Sequence, residues 1–239
     1  MLEFKKISDD ITDGYDGIIE IGNTDMHEMM INFPLYSDVV DLYIGLDENA
    51  ALEAPHDYTI DRPIVYYGSS ITQGGCASRP GTSYEAFVSR ELDADYINLG
   101  FSGNAKGEDE MADYIASLDM SVFVYDYDHN APTTEHLRLT HERMFLKIRE
   151  KHPELPIVMM SRPLATLRDY EEARRKIIRR TYTNAIKRGD KNVYFIDGRK
   201  LMSLCGNEGT VDFCHPTDLG FFSMSRTVSR VLKKILGIK

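Results

Sequence analysis

The spacing of apolar residues changes character near residue 60. Beyond it, short runs rich in β-branched and aromatic residues alternate with stretches whose apolar positions recur every three or four residues. That alternation predicts a parallel sheet covered by helices on both faces. Strands are expected at residues 63–68, 95–99, 122–127, 156–161 and 192–196. Between and after them, Tyr84, Phe87, Val88 and Leu92 fall on one helical face, as do Met111, Tyr114, Ile115 and Leu118, and His141, Met144, Phe145 and Ile148. A last stripe, Phe221, Met224, Val228, Val231, Leu232 and Ile235, begins near Thr217, a residue type that caps helix starts. Before residue 60 the pattern alternates with period two at 17–22 and 39–45, broken by Asn23, Pro34 and Pro55. The expectation is a short β-rich appendage over residues 1–60 ahead of an α/β domain over 61–239. The appendage is too short for a sandwich of roughly 100 residues, and its exposed edges predict a homo-oligomer formed through this segment.

Composition narrows the class of function. The 239 residues are 42% hydrophobic and 28% charged, with no repeat or low-complexity tract, as in an ordinary globular chain. A formal charge of −10 opposes nucleic-acid binding, which draws its affinity from Lys and Arg on phosphates. The basic cluster Arg174, Arg175, Lys176, Arg179 and Arg180 is interleaved with Tyr170, Ala173, Ile177, Ile178 and Thr181, so it reads as the solvated face of an amphipathic helix. The first ten residues lack the apolar core of a secretory signal and no run is long enough to span a bilayer, which predicts a cytoplasmic location. Cys76, Cys205 and Cys214 show neither metal-ligand spacing nor disulfide density. No cofactor is expected.

The chemistry gathers at two places far apart in the chain. Ser70 lies in Gly68-Ser69-Ser70-Ile71-Thr72-Gln73-Gly74, directly after the first expected strand of the α/β domain, and Asp212-Phe213-Cys214-His215-Pro216 supplies an acid and an imidazole three residues apart. Nucleophile, general base and orienting carboxylate are the components of a serine hydrolase. Gly103 and Asn104 follow the second of these strands and Asn130 the third, so the polar clusters converge outside the carboxyl edge of the sheet, where open α/β folds bind ligands. The other histidines, His27, His56, His136, His141 and His152, read as core or surface residues. His129 is ambiguous because it adjoins Asn130. Asp126 and Asp128, two apart on an expected strand, would share a face and make a metal-dependent phosphoesterase the lower-ranked alternative chemistry. Arg79 and Arg162 read either as contacts to an anionic or sugar group or as surface charges.

These blocks resemble the SGNH, or GDSL-like, hydrolase family over roughly residues 63–239. Gly68-Ser69-Ser70-Ile71-Thr72 is similar to the family's Gly-Asp-Ser-Leu block, with Ser69 in place of the aspartate. Asn98-Leu99-Gly100-Phe101-Ser102-Gly103 resembles its second block and Asp212-Phe213-Cys214-His215-Pro216 its fifth. The third, usually Gly-x-Asn-Asp, is met by Asp128-His129-Asn130-Ala131, which departs on both sides of Asn130. The resemblance implies a three-layer α/β/α flavodoxin-like fold with a five-stranded parallel sheet and metal-free hydrolysis of esters by Ser70, Asp212 and His215. It also implies an oxyanion hole from Ser70, Gly103 and Asn130. Expected substrates are small-molecule or carbohydrate esters, with short acyl groups preferred because no long apolar insertion separates the blocks. The alternative is a carbohydrate-binding protein on the same fold with dead chemistry.

Overall fold

The computed structural model describes residues 4–5 and 17–238. At its amino-terminal end β1 (Phe4–Lys5) and β2 (Ile18–Ile19) pair antiparallel, a two-residue ribbon outside the main sheet. Of the first ten residues, read above as lacking the apolar core of a secretory signal, all but Phe4 and Lys5 lie outside the described residues. The alternating stretch at 39–45 forms no strand, and Val40 and Tyr43 are almost fully exposed. A period of two specifies a face only where a neighbouring strand accepts the ladder hydrogen bonds, and among the described residues no strand pairs with this stretch.

Packing divides the chain into a small unit ending at Ile31 that also takes in Leu52–Pro55, and a large unit made of Asn32–Ala51 and the residues from His56 onward. All five expected strands are present in the large unit: β3 (Ile60–Gly68), β4 (Ala94–Gly100), β5 (Val122–Asp126), β6 (Ile157–Met160) and β7 (Val193–Ile196). Their order is β4-β3-β5-β6-β7, all neighbours parallel, which is the flavodoxin-like arrangement. β5 is buried along its whole length, as a central strand covered on both faces must be.

The sheet's two faces make two cores. Val65, Tyr67, Phe123, Tyr125, Ile157 and Met159 pack with residues of α3 (Asp109–Ser117), α4 (Thr134–Lys151) and α5 (Asp169–Lys187). Ile64, Tyr66, Val124, Val158 and Met160 pack with α2 (Tyr84–Leu92), α6 (Gly198–Leu201) and α7 (Asp218–Leu236). Each of these large side chains contributes on the order of 1.5–3 kcal/mol by leaving water. Thr217 caps α7, as expected, accepting the Gly220 N–H at 3.5 Å. Tyr114 departs from its stripe and is half-exposed. His141 belongs to the core: it stacks on Tyr125 at 4.6 Å, its Nδ1 lies 3.0 Å from Thr181 Oγ1, and burial pushes its pKa down to about 3.

The basic face of α5 needs correction. Lys176, Arg179 and Arg180 are exposed, but Arg175 is buried against Glu172 and Asp197, and Arg174 reaches the carbonyls of Asp128 and Ala131. Asp197, which meets Arg175, and the two backbone carbonyls that meet Arg174 all lie outside α5, so a helical wheel drawn for that helix does not contain them.

Candidate active site

β3 delivers Ser70 to the carboxyl edge of the sheet. The strand ends at Gly68, and α1 (Ser70–Gln73) starts at once, its first turn capped by Ser69, whose Oγ accepts the Ile71 N–H at 3.2 Å. Glycine is required at 68 because a side chain there would collide with Asp126 Oδ1 and Thr72 Oγ1. Ser70 is nearly buried, and its Oγ lies 2.9 Å from His215 Nε2. His215 Nδ1 lies 2.8 Å from Asp212 Oδ2, while Asp212 Oδ1 accepts the backbone N–H groups of His215 at 2.7 Å and Cys214 at 3.0 Å. The His215 backbone bond is the main reason the Asp212 carboxyl is held down to about 2. Ser70, His215 and Asp212 thus form one hydrogen-bonded chain from residues 145 positions apart in sequence.

The turn carrying Asp212 and His215 is fixed by groups that spacing did not reveal. Val211 N–H donates to the His215 carbonyl at 2.9 Å and closes the turn. Phe213 sits inside it at φ 58, a left-handed conformation costing a residue with a Cβ roughly 1–2 kcal/mol. Arg162 braces that conformation by donating to the Phe213 carbonyl at 2.9 Å. Arg162 is itself buried and paired with Glu171 at 2.6 Å, and Glu171 accepts further bonds from the Arg168 N–H and Tyr170 hydroxyl. Of the two arginines left open above, Arg162 is therefore a brace of the histidine turn, and Arg79 is exposed near Asp218.

β4 and β5 flank β3, so the residues after them flank Ser70. Gly103 follows β4 on an exposed turn at φ 71, and the preceding Ser102 N–H donates to Gln73 Oε1 at 2.9 Å, tying that turn to α1. Asn130 follows β5, donating its N–H to the Tyr127 carbonyl at 2.9 Å, with its side-chain Oδ1 buried and unpartnered among the described residues. Arg174 holds the same loop from the other side through Asp128 and Ala131.

The expected shared face of Asp126 and Asp128 is corrected. β5 stops at Asp126 and a 3-10 turn over Tyr127–His129 turns the next carboxylate away. Asp126 accepts a hydrogen bond from Thr72 Oγ1, and Asp128 accepts the Arg162 N–H at 3.3 Å. His129 faces Cys214, with Nε2 to Sγ 3.1 Å, and burial, reinforced by Arg162 and Arg174, lowers its pKa to about 4, so it is neutral at neutral pH. Among the described residues, the one cluster of donor atoms close enough to hold a metal is Asp212, Cys214 and His215. Two of those three are already engaged in the chain to Ser70.

Burial raises the Asp126 pKa to about 7, from an ordinary value of 3.8. The unfolded chain then ionises this group near pH 4 and the folded chain near pH 7, so between those values the folded state carries the extra proton. Its contribution to stability is largest at low pH and declines as pH rises towards 7, after which it is level. Asp126→Asn, which keeps an acceptor for Thr72, removes that decline. Thermal melts at pH 4.5 and pH 8 are expected to show the variant gaining several degrees relative to the native chain at the higher pH.

The sequence profile of the GDSL-like lipase/acylhydrolase family matches residues 61–233. The chain belongs to that family. A GDSL-like lipase from Bacteroides ovatus superposes with a TM-score of 0.68 at 35% identity, covering 75% of this chain and 55% of the other. The salicylyl-acyltransferase SsfX3 from a tetracycline biosynthetic pathway is similar in fold at a TM-score of 0.65 and 21% identity, covering 76% and 57% of the two chains. A family two carbohydrate esterase from Clostridium thermocellum, solved with cellohexaose, gives 0.62 at 18% identity, covering 78% and 67%. The chain thus spans little more than half the length of the first two of these similar structures. No curated protein sequence matches it. Within the GDSL-like family's five-stranded fold, Ser70, His215 and Asp212 are the groups brought together, with Gly103 and Asn130 on the neighbouring strand ends. The residues that sequence reasoning missed are Arg174, as a holder of the Asn130 loop, and Tyr36; Arg162 was singled out, but not as the brace of the histidine turn. Tyr36 sits beside Ser70 with no motif to announce it.

Proposed function

We propose that the protein is a serine-dependent ester hydrolase that removes short acyl groups from carbohydrate esters through an acyl-enzyme. The observation that carries this reading is the unbroken chain Ser70 Oγ, His215 imidazole, Asp212 carboxylate, at 2.9 and 2.8 Å. His215 Nε2 takes the Ser70 proton as Oγ bonds to the ester carbonyl carbon, and Asp212 holds the ring in the tautomer that leaves Nε2 free to accept. The backbone N–H groups of Ser70 and Gly103 and the Asn130 amide are the donors for the negative oxygen of the tetrahedral intermediate. His215 then passes its proton to the leaving alkoxide, releasing the alcohol. Water repeats the sequence on the acyl-serine, with His215 as base, and frees the acid. Support for a carbohydrate alcohol is the fold likeness to carbohydrate esterases, including one solved with cellohexaose.

The direct test is labelling with a fluorophosphonate followed by mass mapping. A single adduct on Ser70, prevented by prior denaturation, is expected. No adduct, together with intact sugar binding, favours the carbohydrate-binding alternative.

A further inference from the structure

A segment far from every recognised motif reaches the nucleophile. Leu35 and Tyr36 belong to the large unit but precede its first strand by more than twenty residues. Gln73, the last residue of α1, donates from Nε2 to the Leu35 carbonyl at 2.9 Å while its Oε1 accepts the Ser102 N–H at 2.9 Å. One amide thereby ties this segment both to the helix that starts at Ser70 and to the turn carrying Gly103. The next residue, Tyr36, points its hydroxyl at the Ser70 carbonyl, at a long 3.4 Å. Gly75 completes the placement: a methyl there would lie 2.8 Å from the Tyr36 hydroxyl, 3.0 Å from the Ser70 carbonyl and 3.5 Å from His215 Cδ2, so the phenol hydroxyl and the imidazole edge border the same small space.

Cδ2 is bonded to Nε2, the atom that hands its proton to the departing alcohol in the mechanism above. A group beside that edge is therefore close to the atom from which the departing alcohol takes its proton. Tyr36 is 55% exposed, so it is open to a ligand; its hydroxyl donates to the Ser70 carbonyl through a bond too long to be strong, and the Ser102 side chain also reaches that hydroxyl. Partial burial raises the phenol above its usual pKa, which keeps it a donor at neutral pH.

We propose that Tyr36 is a specificity-determining residue whose hydroxyl donates to a hydroxyl of the leaving alcohol, selecting esters of polyhydroxylated alcohols over those of plain ones. The proposal rests on the ester-hydrolase reading. In it Tyr36 turns its O–H from the Ser70 carbonyl to the substrate, a redirection that costs little because the existing bond is long. No covalent step involves the phenol.

The test compares kcat/KM for 6-O-acetylglucose and for p-nitrophenyl acetate, whose leaving group carries no hydroxyl, in the native chain and in Tyr36→Phe. A hydrogen bond between neutral groups is worth about 0.5–1.5 kcal/mol net, or roughly 2- to 12-fold. The ratio of the two kcat/KM values is expected to fall by that factor in Tyr36→Phe, through KM for the sugar ester. An unchanged ratio overturns the proposal while leaving ester hydrolysis intact. So does a native chain that turns over p-nitrophenyl acetate but not the sugar ester. A native chain that turns over neither removes the hydrolase reading and this one with it.

Discussion

Ser70→Ala is expected to lower turnover of p-nitrophenyl acetate by about 10⁴- to 10⁶-fold, with the fold unchanged. The magnitude follows from the unit character of the triad: without the attacking oxygen, the imidazole and carboxylate have nothing to activate, and only donors and binding remain to assist water. The hydroxyl of Ser70 is bonded to His215 and caps nothing, since Ser69 holds the helix start. Its removal therefore leaves α1 in place, and the melting temperature should move little. Turnover retained within tenfold of native would place the nucleophile elsewhere.

Asn130→Ala is expected to reduce kcat by about 100- to 1,000-fold, the usual cost of one oxyanion donor, with KM little altered. The charge that this amide meets develops only as the carbonyl carbon becomes tetrahedral, so the loss falls on kcat. The position is a sharp test because the chain departs from the family pattern on both sides of it. Asp128, where glycine is usual, is buried and accepts the Arg162 N–H. Its backbone carbonyl takes a bond from Arg174. The unusual neighbours are thus part of the loop's own bracing and leave the Asn130 side chain available. If Asn130→Ala changes kcat less than tenfold, the third donor is another group.

Much of this architecture was legible because the relevant signals are local. A strand buried on both faces must be apolar at successive positions, and β5 is from Val122 to Tyr125. An amphipathic helix must repeat its apolar residues every three or four positions, and α7 does, with Thr217 at its start. The same logic failed at residues 39–45, where the period of a strand is present and no partner strand completes it. It failed again on α5, where Arg174 and Arg175 share a sequence pattern with the solvated Lys176, Arg179 and Arg180 but find acceptors in a loop and beyond a strand end.

What the sequence determined by itself is the five-stranded parallel core and the identity of the groups that meet at its carboxyl edge, Ser70, His215 and Asp212, because periodicity, helix caps and the spacing of Asp212 to His215 are properties of short stretches of chain. What only the tertiary structure decided is how those groups are held. Arg162 fixes the Phe213 carbonyl from across 51 residues, burial lifts the Asp126 pKa to about 7, and Tyr36 stands over the Ser70 carbonyl from 34 residues upstream. Each of these depends on a distance or a degree of burial between positions that no period relates, and such quantities come into being only when the chain closes on itself.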